Sequence, residues 1–222
     1  MNDIEKLDFQ NLKSHQRSTR DQFPQSLSLR VHRALSWLQR AEQEDADHDA
    51  RFIFLWVGFN AAYANEFPDR RNYSERELFQ GFLGRLIDSD SEKMLYELVW
   101  DKFSGAIRLM IDNQYVFQPF WDHHNGQITE EAWQEAFERS KSAARHALGE
   151  MNTQKVMGIM FDRLYTLRNQ LLHGGATWNS SVNRDQISQG AEIMGHVVPT
   201  VIHLMMNDYQ RIWGDACYPV VD

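Results

Sequence analysis

Three polar residues near the end of an amphipathic segment have types and spacing that suit acid–base chemistry at a phosphate. They are Arg168, Asn169 and His173, in the stretch LRNQLLHGG. Histidine titrates near neutral pH, and arginine keeps its charge and presents a fork that fits phosphate oxygens. In RNA, such a base takes the proton of the 2′-hydroxyl while the cation stabilises charge on the attacked phosphate. These residue types therefore fit acid–base catalysis at a phosphodiester without a metal or other cofactor, with Arg168 and His173 as the candidate catalytic residues.

The spacing of these residues also predicts how a helix presents them. Asn169 and His173 are four residues apart and lie on one face, where the Asn169 amide could bond the imidazole and fix its tautomer. Arg168 lies ~140° away from His173 around a regular helix. Both side chains reach one site if the last turn unwinds, which Gly174 and Gly175 permit.

Other polar residues are weaker candidates for chemistry. Asn60 and Tyr63 lie in the apolar run FIFLWVGFNAAYA and are expected either to support the site from behind or to be satisfied core groups. The neighbouring Asp122, His123 and His124 are adjacent on a predicted loop, which is poor geometry for sharing one metal ion. No metal site is therefore predicted.

The elements that position these residues are predicted to be helices throughout, because apolar residues recur at spacings of three and four and period-2 alternation is missing. The fold class is therefore all-α. Residues 1–23 are expected to form an arm with at most a short helix, and residues 24–222 one helical domain. Residues 113–127, which contain Pro119 and Gly126, are expected to be a loop. The predicted helices run approximately over 26–44, 47–65, 74–87, 88–112, 129–150, 153–172 and 184–212.

Composition limits the classes of function. The chain of 222 residues carries a formal net charge of -8, which counts against broad, non-specific binding of nucleic acid but leaves room for a local basic site. Its one cysteine, Cys217, cannot form an internal disulfide. The polar N-terminus lacks a secretory signal, and the apolar run is shorter than the ~20 residues that span a bilayer. Cytoplasmic location without membrane association is the expectation.

The order Arg168, Asn169, three further residues and His173 at the end of a long helix resembles the signature of the HEPN superfamily. The resemblance implies an antiparallel helical bundle with additional helices. It also implies a homodimer in which Arg168 and His173 of two copies meet in one composite cleft. The implied activity is an endoribonuclease of defence or toxin–antitoxin systems, restrained by an antitoxin or a nucleotidyltransferase partner.

A second class of function stays open at this point. Some HEPN proteins are helical interaction modules or nucleotide-binding modules without catalysis, and Arg168 and His173 would then stabilise the negative end of their helix dipole. The aromatic residues between positions 115 and 121 are expected to add area to a dimer interface in either case.

Overall fold

The computed structural model describes residues 7–63, 65–66, 75–216 and 218. Contacts divide the chain into two compact units, one formed by Met1–Leu95 with Gly190–Asp222 and the other by Tyr96–Gln189. The all-α prediction is confirmed. Within the described residues the only strands are β1 (Asn65–Glu66) and β2 (Asp215–Ala216), which form one short antiparallel pair.

The helices occupy most of the positions that the sequence predicts. Shorter turns of 3-10 helix lie at Arg20–Gln22 and Gln114–Val116, and a π-helical turn lies at Leu98–Lys102. None of the described helices is both long enough and apolar enough to cross a bilayer. In chain order the α-helices are α1 (Phe9–Thr19), α2 (Gln25–Ala41), α3 (His48–Tyr63), α4 (Glu75–Ser89), α5 (Met94–Glu97), α6 (Ser104–Ile111), α7 (Gln118–His124), α8 (Glu130–Gly149), α9 (Thr153–Leu172) and α10 (Arg184–Asn207).

Helix α3 is the centre of the first unit, as its apolar run predicts. None of its residues is exposed, because apolar side chains surround its whole circumference. Helix α2 packs along it, and Gly58 allows the close approach: a Cβ at this position would lie 3.4 Å from the Cβ of Trp37 and 3.5 Å from the Ala34 carbonyl oxygen. The apolar stripe of α2, which includes Leu27 and Leu35, is buried.

A buried arginine joins distant parts of the first unit. Arg30 on α2 is 1% exposed, and its guanidinium donates to the carbonyl oxygens of Trp213 at 2.6 Å and Gly214 at 3.0 Å. It also donates to the carbonyls of Ala62 and Tyr63 at the end of α3. Charged donors satisfy carbonyls that a helix end leaves without intrahelical partners. Arg30 therefore ties the end of α3 to the segment that follows α10.

The described part of the expected N-terminal arm contains a short helix, as the sequence analysis allows. Residues 9–19 form α1, which is capped by the Asp8 carboxylate accepting from the Asn11 N–H at 2.8 Å. Leu12 is 1% exposed, so the helix packs by its apolar face. Ser74 followed by Glu77 three residues later predicts a capping box at the start of α4, which lies partly outside the described residues. The expected division of the chain at residue 23 stays a prediction.

The second unit contains the main errors of the sequence-based assignment. Residues 113–127 are not a loop: they hold the 3-10 turn and α7, with Pro119 in the first turn, where its missing N–H costs nothing. The single helix expected over 88–112 is interrupted by the π-helical turn and by Phe103. In the first unit, helix α10 ends at Asn207 rather than near residue 212.

A second buried arginine organises this unit. Arg163 of α9 is 2% exposed and donates to the Ser140 hydroxyl on α8 at 2.9 Å and to the Ile111 carbonyl at the end of α6 at 3.4 Å. Its guanidinium lies 4.4 Å from the centre of the Phe117 ring. Burial lowers the pKa of Arg163 to about 10, although Asp162 and Asp112 act in the opposite direction. One side chain thus fixes α9 against three neighbouring segments.

Candidate functional site

Helix α9 carries the candidate site at its C-terminal end, and local sequence sets both ends of the helix. The Asn152 side chain caps the first turn by accepting from the Lys155 N–H at 3.0 Å. At the other end, Gly174 takes φ +72° and the Gly175 N–H bonds the Gln170 carbonyl at 2.8 Å. This is the six-to-one bond of a Schellman motif, which favours glycine at the left-handed position. The predicted helix limits are confirmed. Arg168, Asn169 and His173 occupy the last turn and its cap.

Arg168 and Asn169 form a side-chain pair. The Arg168 Nη1 donates to the Asn169 Oδ1 at 2.9 Å, and the guanidinium lies 5.8 Å from the centre of the Tyr165 ring. The Arg168 Nε is buried and has no hydrogen-bond partner among the described residues. Leaving a buried donor unsatisfied costs on the order of 1–3 kcal/mol, and the buried Nε of Arg163 is in the same state.

His173 is the C-cap residue of α9 and its side chain is exposed. Its backbone N–H donates to the Asn169 carbonyl at 2.9 Å, so its position along the helix is fixed by the main chain. Within the described part of the chain, no side chain bonds the imidazole. The Asn169 amide oxygen accepts from Arg168 instead, and the expectation that Asn169 fixes the tautomer of His173 stays a prediction. The helix also stays regular as far as Leu172.

A residue inside the motif that the sequence did not single out anchors this end of α9. The Gln170 Nε2 donates to the Tyr115 carbonyl at 2.6 Å, and its Oε1 accepts from Asn183 at 3.2 Å. Gln170 thus connects α9 to the 3-10 turn at Gln114–Val116 and to the segment before α10. No periodicity or motif would have marked it, because both of its partners are distant in sequence.

The two residues expected to support the site belong to the first unit. Tyr63 lies in an aromatic cluster, with ring centres 5.3 Å from Phe79 and 5.2 Å from Phe82. Asn60 is half-buried on α3. Site residues Arg168 and His173 belong to the second unit. A supporting role for Asn60 and Tyr63 stays a prediction.

The histidines of α7 have packing roles. The His124 Nδ1 lies 2.9 Å from the Phe120 carbonyl, and the His123 ring stacks near Trp133 with ring centres 6.4 Å apart. In the ranges that the structure describes, no three His, Cys, Asp or Glu residues are grouped as metal ligands. Asp90 caps the start of α5, because its carboxylate accepts the N–H groups of Met94 and Leu95.

The aromatic residues between 115 and 121 mostly serve the core of the second unit. Phe117 is 8% and Phe120 is 7% exposed, and the Phe120 ring meets Trp133 edge-on at 5.2 Å. Tyr115 is 49% exposed. The expected contribution of this segment to a dimer interface is therefore limited to its exposed members.

Comparisons with protein-family models, with curated proteins and with solved structures find no match to this chain. The resemblance to HEPN proteins consequently depends on residues 167–175 and on the all-helical architecture.

Proposed function

We propose that this chain is a metal-independent endoribonuclease of the HEPN type. The His173 imidazole takes the proton of a ribose 2′-hydroxyl, and the 2′-oxygen attacks the adjacent phosphorus while the bond to the 5′-oxygen breaks. The products are a 2′,3′-cyclic phosphate and a 5′-hydroxyl, whose proton is delivered by a second imidazole or by water. Arg168 stabilises the negative charge that accumulates on the phosphate oxygens.

The observation that carries the proposal is the state of Arg168. One amino group is held by Asn169, while the buried Nε has no acceptor in the described structure. The imidazole of His173, little more than one helical turn further on, is exposed and unengaged by other side chains. The C-terminal end of α9 thus offers a fixed cation that suits a phosphate oxygen and an exposed acid–base group, and a second copy of the chain would bring both kinds of group to one phosphate.

The proposal includes a homodimer and a restraining partner. Two copies packed about a twofold axis at the C-terminal ends of α9 would place two Arg168–His173 pairs in one cleft, so that one imidazole acts as base and the other as acid. An antitoxin or a nucleotidyltransferase that covers or modifies this end of α9 would control the activity in defence or toxin–antitoxin systems. The acidic bulk of the chain, with its net charge of -8, would confine RNA contacts to this site.

The test compares His173→Ala with a matched histidine variant. Purified protein is incubated with total RNA in EDTA, and cleaved ends are analysed for cyclic phosphate. His173→Ala should lower cleavage at least ~100-fold, which is the scale of losing one acid–base group. His146→Ala, an exposed histidine on α8 with 66% of its side chain accessible, should cleave like wild type. Equal cleavage by folded His173→Ala and wild type would remove the catalytic assignment.

The second candidate is a helical interaction or nucleotide-binding module without catalysis. It is favoured by the contacts of Arg168 with Asn169 and Tyr165, which place a cation at the negative end of α9 without any substrate. If wild-type protein freed of any copurified partner cuts no RNA under these conditions, this module becomes the better description.

A further inference from the structure

A polar groove with a cavity volume of about 640 Å³ lies between α1 and α2 in the first unit. Helix α1 presents Phe9, Lys13 and Arg17 to it, and helix α2 presents His32 and Ser36. Residues four apart lie above one another on a helix, so both walls consist of side chains from successive turns. The Phe9 ring therefore lies at one end of the groove, and the cationic groups of Lys13 and Arg17 lie along the α1 wall.

The charge of the groove is unlike that of the chain as a whole. None of the described residues that line it carries a carboxylate, although the chain has a net charge of -8. The Lys13 ammonium donates to the Gln16 Oε1 at 2.6 Å, and in the described structure neither Lys13 nor Arg17 is paired with an acid. Burial lowers the pKa of the Lys13 ammonium, and the nearby charges of Arg17 and Arg20 lower it further. Like charges held together in this way would be stabilised by an anion.

We propose that the groove between α1 and α2 binds a small organic phosphate. The Lys13 ammonium and the Arg17 guanidinium contact the phosphate oxygens from one wall, and His32 and the Ser36 hydroxyl donate from the other. The Phe9 ring provides a face for a flat organic group. Its position is fixed by the main chain, because the Phe9 backbone N–H donates to the Glu42 carboxylate at 2.9 Å. The site is separate in sequence and in unit from Arg168 and His173.

Size and charge favour a small molecule over a nucleic-acid strand. A cavity of about 640 Å³ lies within the range of roughly 300–1,000 Å³ typical of small-molecule sites. A polymer needs a longer track of cations, because each bound phosphate requires its own neutralising groups. Beyond Arg17 the next basic residue is Arg20 in the 3-10 turn that follows α1, and its Nε lies 3.9 Å from the carboxylate of Asp21. The concentrated positive charge thus suits one compact phosphate group.

The test measures binding of AMP and of inorganic pyrophosphate to the full chain by isothermal titration calorimetry. Both probes should bind wild type with submillimolar Kd, and Lys13→Gln and Arg17→Gln should each raise both Kd values at least ~10-fold. Arg108→Gln removes the same charge from an exposed position of α6 and should leave both values unchanged. Phe9→Leu should weaken AMP but not pyrophosphate, which separates recognition of the organic group from recognition of the phosphate.

Three outcomes would overturn the proposal. The first is a Kd above 1 mM (roughly -4 kcal/mol of binding free energy) for both probes with wild type. The second is equal binding of the probes by Lys13→Gln, Arg17→Gln and wild type. The third is binding of an RNA oligonucleotide without binding of either probe. Circular dichroism of each variant shows whether α1 is retained. His173→Ala should bind both probes like wild type, so this site can fail or succeed independently of the ribonuclease proposal.

Discussion

The pairing of Arg168 with Asn169 allows a substitution that separates a catalytic cation from a structural one. Asn169→Asp keeps an oxygen where the amide oxygen accepts from Arg168 at 2.9 Å, but adds a negative charge. Asn169→Ala removes the contact without changing the net charge beside Arg168. If Arg168 has only a structural role, Asn169→Asp should retain more function than Asn169→Ala, because the aspartate strengthens the contact with Arg168. If Arg168 is catalytic, Asn169→Asp should lose more RNA cleavage than Asn169→Ala.

The structure sets the expected magnitudes. Two unit charges 4 Å apart attract with about 4 kcal/mol near a protein surface, but pairs with solvent access usually contribute about 1 kcal/mol or less to stability. Arg168 and Asn169 are half-buried, so Asn169→Asp should leave the free energy of unfolding unchanged or raise it by at most about 1 kcal/mol. Cleavage should fall at least ~100-fold, as for loss of one charge stabiliser. Asn169→Ala should cost only about tenfold, or about 1.4 kcal/mol in the barrier.

The assay pairs RNA cleavage in EDTA with urea unfolding of each variant. Cleavage rates are measured on a fluorescent oligonucleotide at several salt concentrations, because the added charge of Asn169→Asp also weakens RNA binding at low salt. The reasoning is refuted if Asn169→Asp cuts RNA at the wild-type rate, or if Asn169→Ala is the more damaging of the two.

Two further predictions concern positions that hold α9 in place. Gly174→Ala should lower the free energy of unfolding by about 1–2 kcal/mol, because φ is +72°; an added Cβ would meet no atom within 4 Å, so the cost is backbone strain alone. Gly126 has the same φ and equal space. Gly126→Ala should therefore show the same loss in thermal unfolding but keep full RNA cleavage. Burial lowers the pKa of Arg163 to about 10 in the folded chain, so above pH 10 the unfolded chain retains a proton that the folded chain releases, and stability rises with pH. In urea unfolding, the free energy of unfolding of wild type should therefore rise by about 1 kcal/mol relative to that of Arg163→Met between pH 9 and 11. An equal pH dependence of stability in the two proteins would contradict the lowered pKa.

The sequence predicted best what local chemistry determines. The limits of α9 follow from Asn152 and Gly174, whose capping preferences act within one turn of the chain. Pro119 was misleading because proline is compatible with both a loop and a first helical turn. The π-helical turn at Leu98–Lys102 adds one residue to a turn and leaves no periodic signature. The choice of Asn169 between Arg168 and His173 depends on rotamers, which spacing alone does not specify.

The carbonyl contacts of Arg30 have a consequence for the order in which the chain can fold. On average 5–20 residues are added per second, and 183 residues separate Arg30 from Trp213, so the last acceptors emerge roughly 10 to 40 s after the donor. The second unit, continuous from Tyr96 to Gln189, is synthesised completely within that interval. During biosynthesis the second unit can therefore fold first, while the Arg30 guanidinium stays hydrated and the first unit remains incompletely folded.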